Sequence, residues 1–507
     1  MSSPILPARL RPAQLAVPEE NRNRGILWVA GSGSGKSEGL GLVAFQDFLH
    51  GTPQVLIDPV GALTDAFLTR VGTAPPRFTK RLLSRIRYVD MSGRGPTIPS
   101  WPLLYNLPGE SPQDVADRFL ETCRAIDPHL QSASIQGYNA LYRIGAPVGI
   151  VLSSLGLQID QALALLDAPE LWQDRFAEAC QRQPSAREAV DFLQRTYLSL
   201  SRQDRLALSN SYRGKIEPIL LDPSMRAMFC SPQASIDFNE VVQRHQTVIL
   251  DFRAETNPRK RLLKTRWAFD TLVAYIRHRG AGHHRPLSIH IDEITELTNQ
   301  ESLGQDLFAR DLDYLFNVLQ RNYGLQISAA LQQLWQVSDR TRETLLSLGT
   351  QIFGVISDEP TAAYLARLYA PIDPYRIKRT RPVWMSDPAL GAYIVDHEPV
   401  DFPLEEQIFL ASLVFRRLRP FEFLVKPRHQ TGMRLISMRR FMGRPWPSDH
   451  ATRLAQVRAL LSRQLDATPL PAAPTREESF DTIGDTVTDD AADISAQLDQ
   501  DFWATGT

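Results

Sequence analysis

Short apolar runs alternate along the chain with longer segments in which apolar residues recur every three or four positions. The short runs, rich in Val, Ile and Leu, predict buried strands, and the longer segments predict helices. Strands that alternate with helices favour a parallel sheet covered on both faces. The predicted strands are residues 26–29, 55–57, 86–89, 246–252, 287–291, 327–331 and 351–356, and the last of these is expected to end the sheet.

The pattern changes between residues 111 and 226, where few strands are predicted. Apolar residues at helical spacing, including those at 115–126, predict an all-helical domain inserted into the α/β fold. Arginines in the last part of this region could contact nucleic acid, although a solvated face is the favoured interpretation. They are Arg182, Arg187, Arg195, Arg202, Arg205 and Arg213.

The first predicted strand leads directly into a glycine-rich loop, and together they have the form of a P-loop. Glycines let consecutive backbone N–H groups turn toward a phosphate, and the N-terminus of the next helix adds a partial positive charge. Lys36 would reach the β- and γ-phosphates of ATP, and the Ser37 hydroxyl would ligate Mg²⁺. The predicted nucleotide-binding residues are Gly31, Ser32, Gly33, Ser34, Gly35, Lys36 and Ser37, with Ala30 in the place of the usual first glycine.

The strand predicted at 287–291 ends in two carboxylates, Asp292 and Glu293. After a P-loop, a strand with this ending predicts the second nucleotide motif. Asp292 would hold Mg²⁺, usually through water, and Glu293 would orient and polarise the attacking water. Solvated carboxylates at a strand end are the alternative.

Three further polar residues lie beside predicted strands and have two interpretations each. Gln332 could bind the γ-phosphate or the attacking water, or it could cap its strand. Arg321 could act as an arginine finger in a neighbouring subunit, or form a surface ion pair. Asp58 could lie near the phosphates, or accept hydrogen bonds from its own turn. Arg22 and Arg24, before the first strand, could simply be solvated.

The C-terminal part of the chain differs in charge from the rest. Residues 376–444 hold thirteen Lys and Arg against seven Asp and Glu, and Phe421 and Phe423 lie among them, so this surface could follow a phosphate backbone or form a subunit interface. From residue 475 onward there are nine acidic residues and one basic residue, a composition typical of a disordered interaction tail.

Composition limits the classes of protein that remain. The 507 residues carry a net charge of −1, and the three cysteines form no metal or disulfide motif. No apolar run approaches the roughly 18 residues that a membrane-spanning helix requires. A cytoplasmic location, either free or peripheral to the inner membrane, is therefore expected, with no membrane span of the chain's own.

Taken together, these patterns predict an α/β P-loop NTPase with a mainly parallel sheet, an inserted all-α domain and a disordered acidic tail. The predicted divisions are an arm at 1–24, the two parts of the nucleotide-binding domain at 25–109 and 231–370, the all-α domain at 110–230, a basic region at 371–450, and a helix with the tail at 451–507.

The order of these motifs resembles the HerA/FtsK superfamily of ATPases, and within it the type IV coupling proteins of conjugation and secretion (TraD/TraG-like). The resemblance covers residues 25–368, and its more discriminating parts are the DPxG stretch at Asp58 and the group Gln332, Leu334 and Gln336 after Arg321. The chain departs from that family in having Val60 where lysine is common, and in lacking the transmembrane helices with which coupling proteins usually begin.

The resemblance implies a RecA-like P-loop NTPase domain in an ATP- and Mg²⁺-dependent motor that assembles as a ring, usually a hexamer, and moves DNA through a central channel. It assigns the sensor role to Gln332 and an arginine position to Arg321. Relaxase or secretion-channel proteins would bind through the all-α domain and the acidic tail. The alternatives are an ATPase that delivers protein substrates, and a HerA-like DNA-processing or defence ATPase that works with a partner nuclease.

Overall fold

The computed structural model of the chain describes residues 22–73, 81–93, 98–126, 135–280, 282, 285–297, 307–388, 391–428, 432–438 and 450–466. The predictions about residues 1–21 and about the acidic tail from residue 475 concern parts of the chain outside these ranges.

Eleven strands lie within the described residues, nine in a central sheet and two in a separate hairpin. They are β1 (Ile26–Val29), β2 (Gln54–Asp58), β3 (Ile86–Asp90), β4 (Thr247–Asp251), β5 (Leu287–Ile291), β6 (Leu325–Leu331), β7 (Thr350–Phe353), β8 (Ile377–Asp387), β9 (Gly391–Asp401), β10 (Glu422–Pro427) and β11 (Arg434–Ser437).

The central sheet has the strand order β11-β10-β7-β1-β6-β5-β2-β4-β3. Pairing is parallel from β7 across to β3, as the alternation of strands and helices predicts. The prediction that the strand at 351–356 ends the sheet is wrong, because β10 pairs antiparallel with β7 and β11 pairs antiparallel with β10. Part of the basic C-terminal region thus extends the same sheet.

Strands β1, β2, β4, β5, β6 and β7 are buried at every position and hence on both faces, which explains why they read as continuous apolar runs. In β1, Leu27 and Val29 belong to one apolar cluster, whereas Ile26 and Trp28 belong to the cluster on the opposite face. Phe423 of β10 packs edge-on against Trp28 with ring centroids 5.5 Å apart. Phe423 is fully buried, so its ring is not exposed to contact nucleic acid, which was one of the two interpretations that the sequence left open for this region.

The helices follow the alternation that the sequence predicts. They are α1 (Lys36–Leu49), α2 (Ala62–Thr73), α3 (Pro112–Ile126), α4 (Ile135–Leu155), α5 (Ala162–Asp167), α6 (Gln173–Arg182), α7 (Arg187–Asp191), α8 (Arg202–Leu221), α9 (Pro223–Phe229), α10 (Phe238–Gln243), α11 (Pro258–Arg279), α12 (Leu307–Tyr314), α13 (Gln320–Asn322), α14 (Asp339–Leu346), α15 (Glu359–Tyr369), α16 (Leu404–Arg416) and α17 (His450–Asp466), with short 3₁₀ or π segments between some of them.

Helices α3 to α10 lie between β3 and β4, and α3 to α9 of them fall within residues 110–230, where the sequence predicts the all-helical insertion. Helix α3 of this group lies against α11. The Thr122 hydroxyl donates a hydrogen bond of 2.6 Å to Asp270, and the Arg266 guanidinium donates to the same carboxylate at 3.0 Å. Buried polar contacts of this kind fix the relative register of the packed helices.

The six arginines singled out in the insertion are exposed or half-buried. Four of them pair with nearby carboxylates: Arg182 with Glu178, Arg195 with Asp191, Arg205 with Glu170 and Arg213 with Asp167. Exposed or half-buried pairs of this kind are weak, and they are compatible with the solvated face favoured by the sequence.

The predicted fold class is confirmed for the described residues, with a mostly parallel sheet and a helical insertion. Across those same residues, no helix is both long enough and apolar enough to cross a membrane.

Candidate functional site

The strand order brings three predicted motifs to one edge of the sheet. β6 lies between β1 and β5, with Val29 opposite Leu331 and Ile291 opposite Ala329. Since these strands are parallel, the segments that follow them emerge side by side. The P-loop after β1, the carboxylates after β5 and Gln332 after β6 therefore meet, as is usual for a ligand site in an open α/β sheet.

The glycine-rich loop has the backbone of a phosphate cradle. Gly33 and Gly35 have φ angles of 74° and 92°, which residues with a Cβ atom rarely adopt. Gly35 is also the N-cap of α1, so no capping side chain competes for the first N–H groups of the helix. The Ser34 hydroxyl is buried and has no hydrogen-bond partner in the described part of the chain. The loop can therefore receive an anion.

Lys36 lies at the start of α1 and is buried. Its Nζ lies 2.9 Å from Glu293 Oε2 and 3.9 Å from Asp292 Oδ1. A cation held beside the cradle in a buried place attracts phosphate oxygens strongly, because little water screens it. The predicted role of Lys36 fits this position.

Asp292 has the surroundings of a magnesium ligand. Its Oδ2 accepts a hydrogen bond of 2.7 Å from the Ser37 hydroxyl. Its Oδ1 is buried and has no hydrogen-bond donor among the described residues. Burial raises the pKa of this carboxyl, and the charge of Lys36 partly offsets the rise. A hard divalent cation would fill the unused oxygen and favour the ionised form, so Ser37 and Asp292 fit Mg²⁺.

Glu293 is held in an unusual conformation. Its φ angle is 55°, in the left-handed region that residues other than glycine seldom occupy, and such strain is frequent at functional sites. Its carboxylate accepts hydrogen bonds from Lys36, from Gln332 at 3.0 Å and from the Thr295 hydroxyl at 2.8 Å. A buried, oriented carboxylate beside a phosphate cradle suits a base for water.

Gln332 lies just beyond β6, with its amide Nε2 directed at Glu293. It does not merely cap its own strand, because the side chain reaches across to the carboxylate after β5. The amide thereby joins the cluster formed by Lys36 and Glu293.

Asp58 belongs to its own turn, the second of the two interpretations of this residue. Its carboxylate accepts hydrogen bonds from the backbone N–H groups of Val60, Gly61 and Thr64 at 3.2, 2.6 and 2.6 Å. Burial, followed by the charge of Asp292, raises the pKa of Asp58 to about 6. The turn is thus linked electrostatically to the proposed metal ligand.

The structure describes Arg22, Arg24 and Arg321, the arginines considered beside the nucleotide motifs, to different extents. The side chain of Arg321 lies outside the described residues, and only its backbone is placed, in α13. Arg24 is exposed. Arg22 is not simply solvated, because it pairs with buried Asp47, which also bonds to His290 of β5. Burial would raise the pKa of Asp47, but hydrogen bonds from His290 and Arg22 lower it to about 2.

Two residues near the site were not predicted from the sequence. Thr295 follows Glu293 by two positions and bonds to it. Phe421 lies against the P-loop, since a Cβ added at Gly35 would come within 2.5 Å of its ring. A hydroxyl two residues after the paired carboxylates could have indicated Thr295. No local signal points to Phe421, whose region the sequence left open between a nucleic-acid surface and a subunit interface.

A scan of protein-family models gives no match to this chain, and neither does a search of curated proteins. Solved structures give matches. The conjugative coupling protein TrwB (ΔN70, unbound form) is 15% identical, with a TM-score of 0.49, over 86% of this chain and 92% of that chain. TrwB in complex with ADP and Mg²⁺ is 16% identical, with a TM-score of 0.47, over 86% and 92%. VirB4 of Thermoanaerobacter pseudethanolicus is 11% identical, with a TM-score of 0.47, over 82% and 90%.

Proposed function

We propose that this chain is a Mg²⁺-dependent ATPase that moves DNA in the manner of a type IV coupling protein. The observation that carries the ATPase part is the convergence of Lys36, Glu293 and Gln332 at one buried point beside a glycine-rich loop. These residues come from the ends of β1, β5 and β6, so only the folded sheet brings them together.

Each residue has a role that its contacts support. The N–H groups of residues 31–37 and the N-terminus of α1 bind the phosphates, and Lys36 neutralises the β- and γ-phosphates. Ser37 and Asp292 hold Mg²⁺, which neutralises charge on the phosphate oxygens when bound. Glu293 orients the attacking water and accepts its proton, and the Gln332 amide positions either that water or the γ-phosphate.

The DNA-moving part of the proposal is supported by the order of sequence motifs, which resembles that of coupling proteins. The same resemblance supports a ring, usually of six subunits, with Arg321 reaching the nucleotide of a neighbour. Four arginines of the helical insertion form exposed or half-buried ion pairs, as expected for the solvated face that the sequence favours there. The insertion would bind partner proteins, such as a relaxase or a channel component.

The test is ATP hydrolysis by the purified protein, alone and with single- or double-stranded DNA. We expect hydrolysis that DNA stimulates and that Lys36→Ala abolishes. Hydrolysis lost in Lys36→Ala but indifferent to both DNAs would overturn the DNA-moving part and support delivery of protein substrates. Hydrolysis that persists in Lys36→Ala would overturn the assignment of the site.

Ring formation is tested separately by measuring particle mass with ATP present. Glu293→Gln is the suitable variant, because it should bind ATP without consuming it. We expect assemblies of several subunits with ATP and fewer with ADP. If the unmodified protein hydrolyses ATP but Glu293→Gln stays monomeric at all nucleotide concentrations, the ring would be contradicted.

A further inference from the structure

The Glu293 carboxylate divides its partners between its two oxygens. Oε2 accepts hydrogen bonds from Lys36 and Gln332 at 2.9 and 3.0 Å, whereas Oε1 accepts one from the Thr295 hydroxyl at 2.8 Å. The first two donors belong to the P-loop helix and to the end of β6. Thr295 belongs to the same turn as Glu293, on the short 3₁₀ helix Ile294–Leu297.

The two sets of donors differ in whether their hydrogen bonds to Glu293 would persist when ATP binds. Under the proposed function, Lys36 and Gln332 turn to the phosphates or to the attacking water. The Thr295 contact spans only two residues and does not depend on the nucleotide. Glu293 and Thr295 are 6% and 3% exposed, so rotation of the carboxylate would break a hydrogen bond that water cannot readily replace.

We propose that Thr295 is a positioning residue for hydrolysis. Its hydroxyl holds Oε1 of Glu293, so that Oε2 is the oxygen presented to the attacking water. The inference depends on the proposed role of Glu293 as the base. Thr295 acts through Glu293 and contributes nothing to phosphate binding.

The test compares Thr295→Val, which keeps the shape and removes the hydroxyl, with Thr295→Ser, which keeps the hydroxyl. Loss of one hydrogen bond to a buried charge is expected to lower kcat about tenfold or more in Thr295→Val. The Kd for ATP should stay within about twofold of the unmodified protein, a change too small to reflect a lost hydrogen bond. Thr295→Ser should recover most of kcat.

Thr271→Val is a matched control, because Thr271 is buried in α11 and its hydroxyl has no hydrogen-bond partner among the described residues. It should leave kcat unchanged. A second control introduces Thr295→Val into Glu293→Gln, where no further loss of hydrolysis is expected. If Thr295→Val unfolds, judged by its melting temperature, Thr295→Ala serves as the hydroxyl-free variant.

Normal kcat in a folded Thr295→Val, or equal losses in the Val and Ser variants, would overturn the inference. So would a raised Kd for ATP with unchanged kcat. Failure of the proposed function looks different, because the unmodified protein would then fail to hydrolyse ATP.

A second inference rests on a separate contact, between the P-loop and the start of β10. The backbone N–H of Phe421 donates a hydrogen bond of 2.8 Å to the carbonyl of Ser34, and the Phe421 carbonyl accepts one of 2.8 Å from Met438. Phe421 has a φ angle of 68°. Its ring lies against Gly35, where an added Cβ would come within 2.5 Å of it.

We infer that Phe421 is a positioning residue for the P-loop. A phenylalanine in the left-handed region costs free energy, so its surroundings must enforce the conformation. Here the enforced conformation fixes the carbonyl of Ser34 and covers one side of Gly35. The loop N–H groups are thereby held in a shape ready for phosphate, which lowers the cost of ordering them on binding.

The test is the Kd for ATP, measured with a fluorescent nucleotide so that hydrolysis is not required. Phe421→Ala is expected to raise the Kd about tenfold, equivalent to one lost interaction of ordinary strength, with little change in kcat at saturating ATP. Phe421→Tyr should restore binding. Phe415→Ala is the control, because Phe415 is a buried aromatic of α16 that packs on Phe353 instead.

We expect the Phe415 control to lower the melting temperature without changing the Kd. An unchanged Kd in a folded Phe421→Ala, or an equal rise in the Phe415 control, would overturn the inference. If Phe421→Ala does not fold, Phe421→Leu is measured by the same criteria.

Discussion

The ammonium group of Lys36 lies 2.9 Å from Oε2 of Glu293, although 257 positions separate the two residues in the chain. Both side chains are buried. A buried ion pair of this kind is weak evidence for stability, since desolvation of two charges offsets their attraction. Its value here is that it places the proposed phosphate-binding cation and the proposed base at one point.

Lys36→Ala is expected to weaken ATP binding about a hundredfold, because a charge-assisted contact to phosphate is lost in a buried site. The measurement is a nucleotide titration with Mg²⁺ present. Lys378→Ala provides the control, since Lys378 is an exposed lysine that pairs with Glu406 far from the P-loop motifs in the sequence. Equal affinities of the Lys36 variant and the unmodified protein would show that phosphate binds elsewhere.

Glu293→Gln is expected to keep ATP binding and to lower kcat about a hundredfold or more, because an amide cannot accept the proton of the attacking water. Single-turnover hydrolysis and the Kd for ATP measure the two effects separately. Gln332→Ala should have a smaller effect on kcat, since Gln332 positions a group without accepting a proton. Normal turnover by Glu293→Gln would remove this residue from the mechanism.

Asp58 is expected to make the stability of the protein depend on pH. Its pKa of about 6 in the folded protein lies above the ordinary value of 3.8. A raised pKa means that the folded state favours the protonated carboxyl. The contribution of Asp58 to the free energy of unfolding is therefore fully present below about pH 4. It is lost as the pH rises through 6, a difference of roughly 3 kcal/mol.

The measurement is the melting temperature from pH 4 to 7, without nucleotide or Mg²⁺, for the unmodified protein and for Asp58→Asn. The Asp58→Asn variant loses hydrogen bonds of the turn at every pH. Between pH 4 and 7, however, its melting temperature should fall less than that of the unmodified protein. Asp292→Asn should also reduce the fall, because the charge of Asp292 contributes to the raised pKa. Parallel curves for all three proteins would contradict the assignment.

Phe423→Ala is expected to destabilise the protein by about 3–5 kcal/mol, the usual cost of removing a buried aromatic ring. The reason is that Phe423 is fully buried and packs edge-on against Trp28 in the apolar cluster on one face of the sheet. Phe423→Leu, which preserves most of the volume, should fold and bind DNA as the unmodified protein does. Weaker DNA binding by a stable Phe423→Leu would restore the nucleic-acid interpretation of this side chain.

The sequence by itself was sufficient for the features that depend on neighbouring residues. The P-loop could be predicted because an apolar strand, the glycines and Lys36 are consecutive, and the backbone of Gly33 and Gly35 follows from that local order. Asp292 and Glu293 were recognisable because they end an apolar run. The parallel sheet and the helical insertion followed from the spacing of apolar residues, which reflects the period of each element.

Only the tertiary structure decided what depends on strand order and packing. Placement of β6 between β1 and β5 brings Gln332 to Glu293, and no local pattern contains that order. Pairing of β10 with β7 buries Phe423 and sets Phe421 against the P-loop, although the same residues looked like an exposed basic surface. Apolar periodicity shows that a strand is buried, but the neighbour that buries it is selected by packing across the whole sheet.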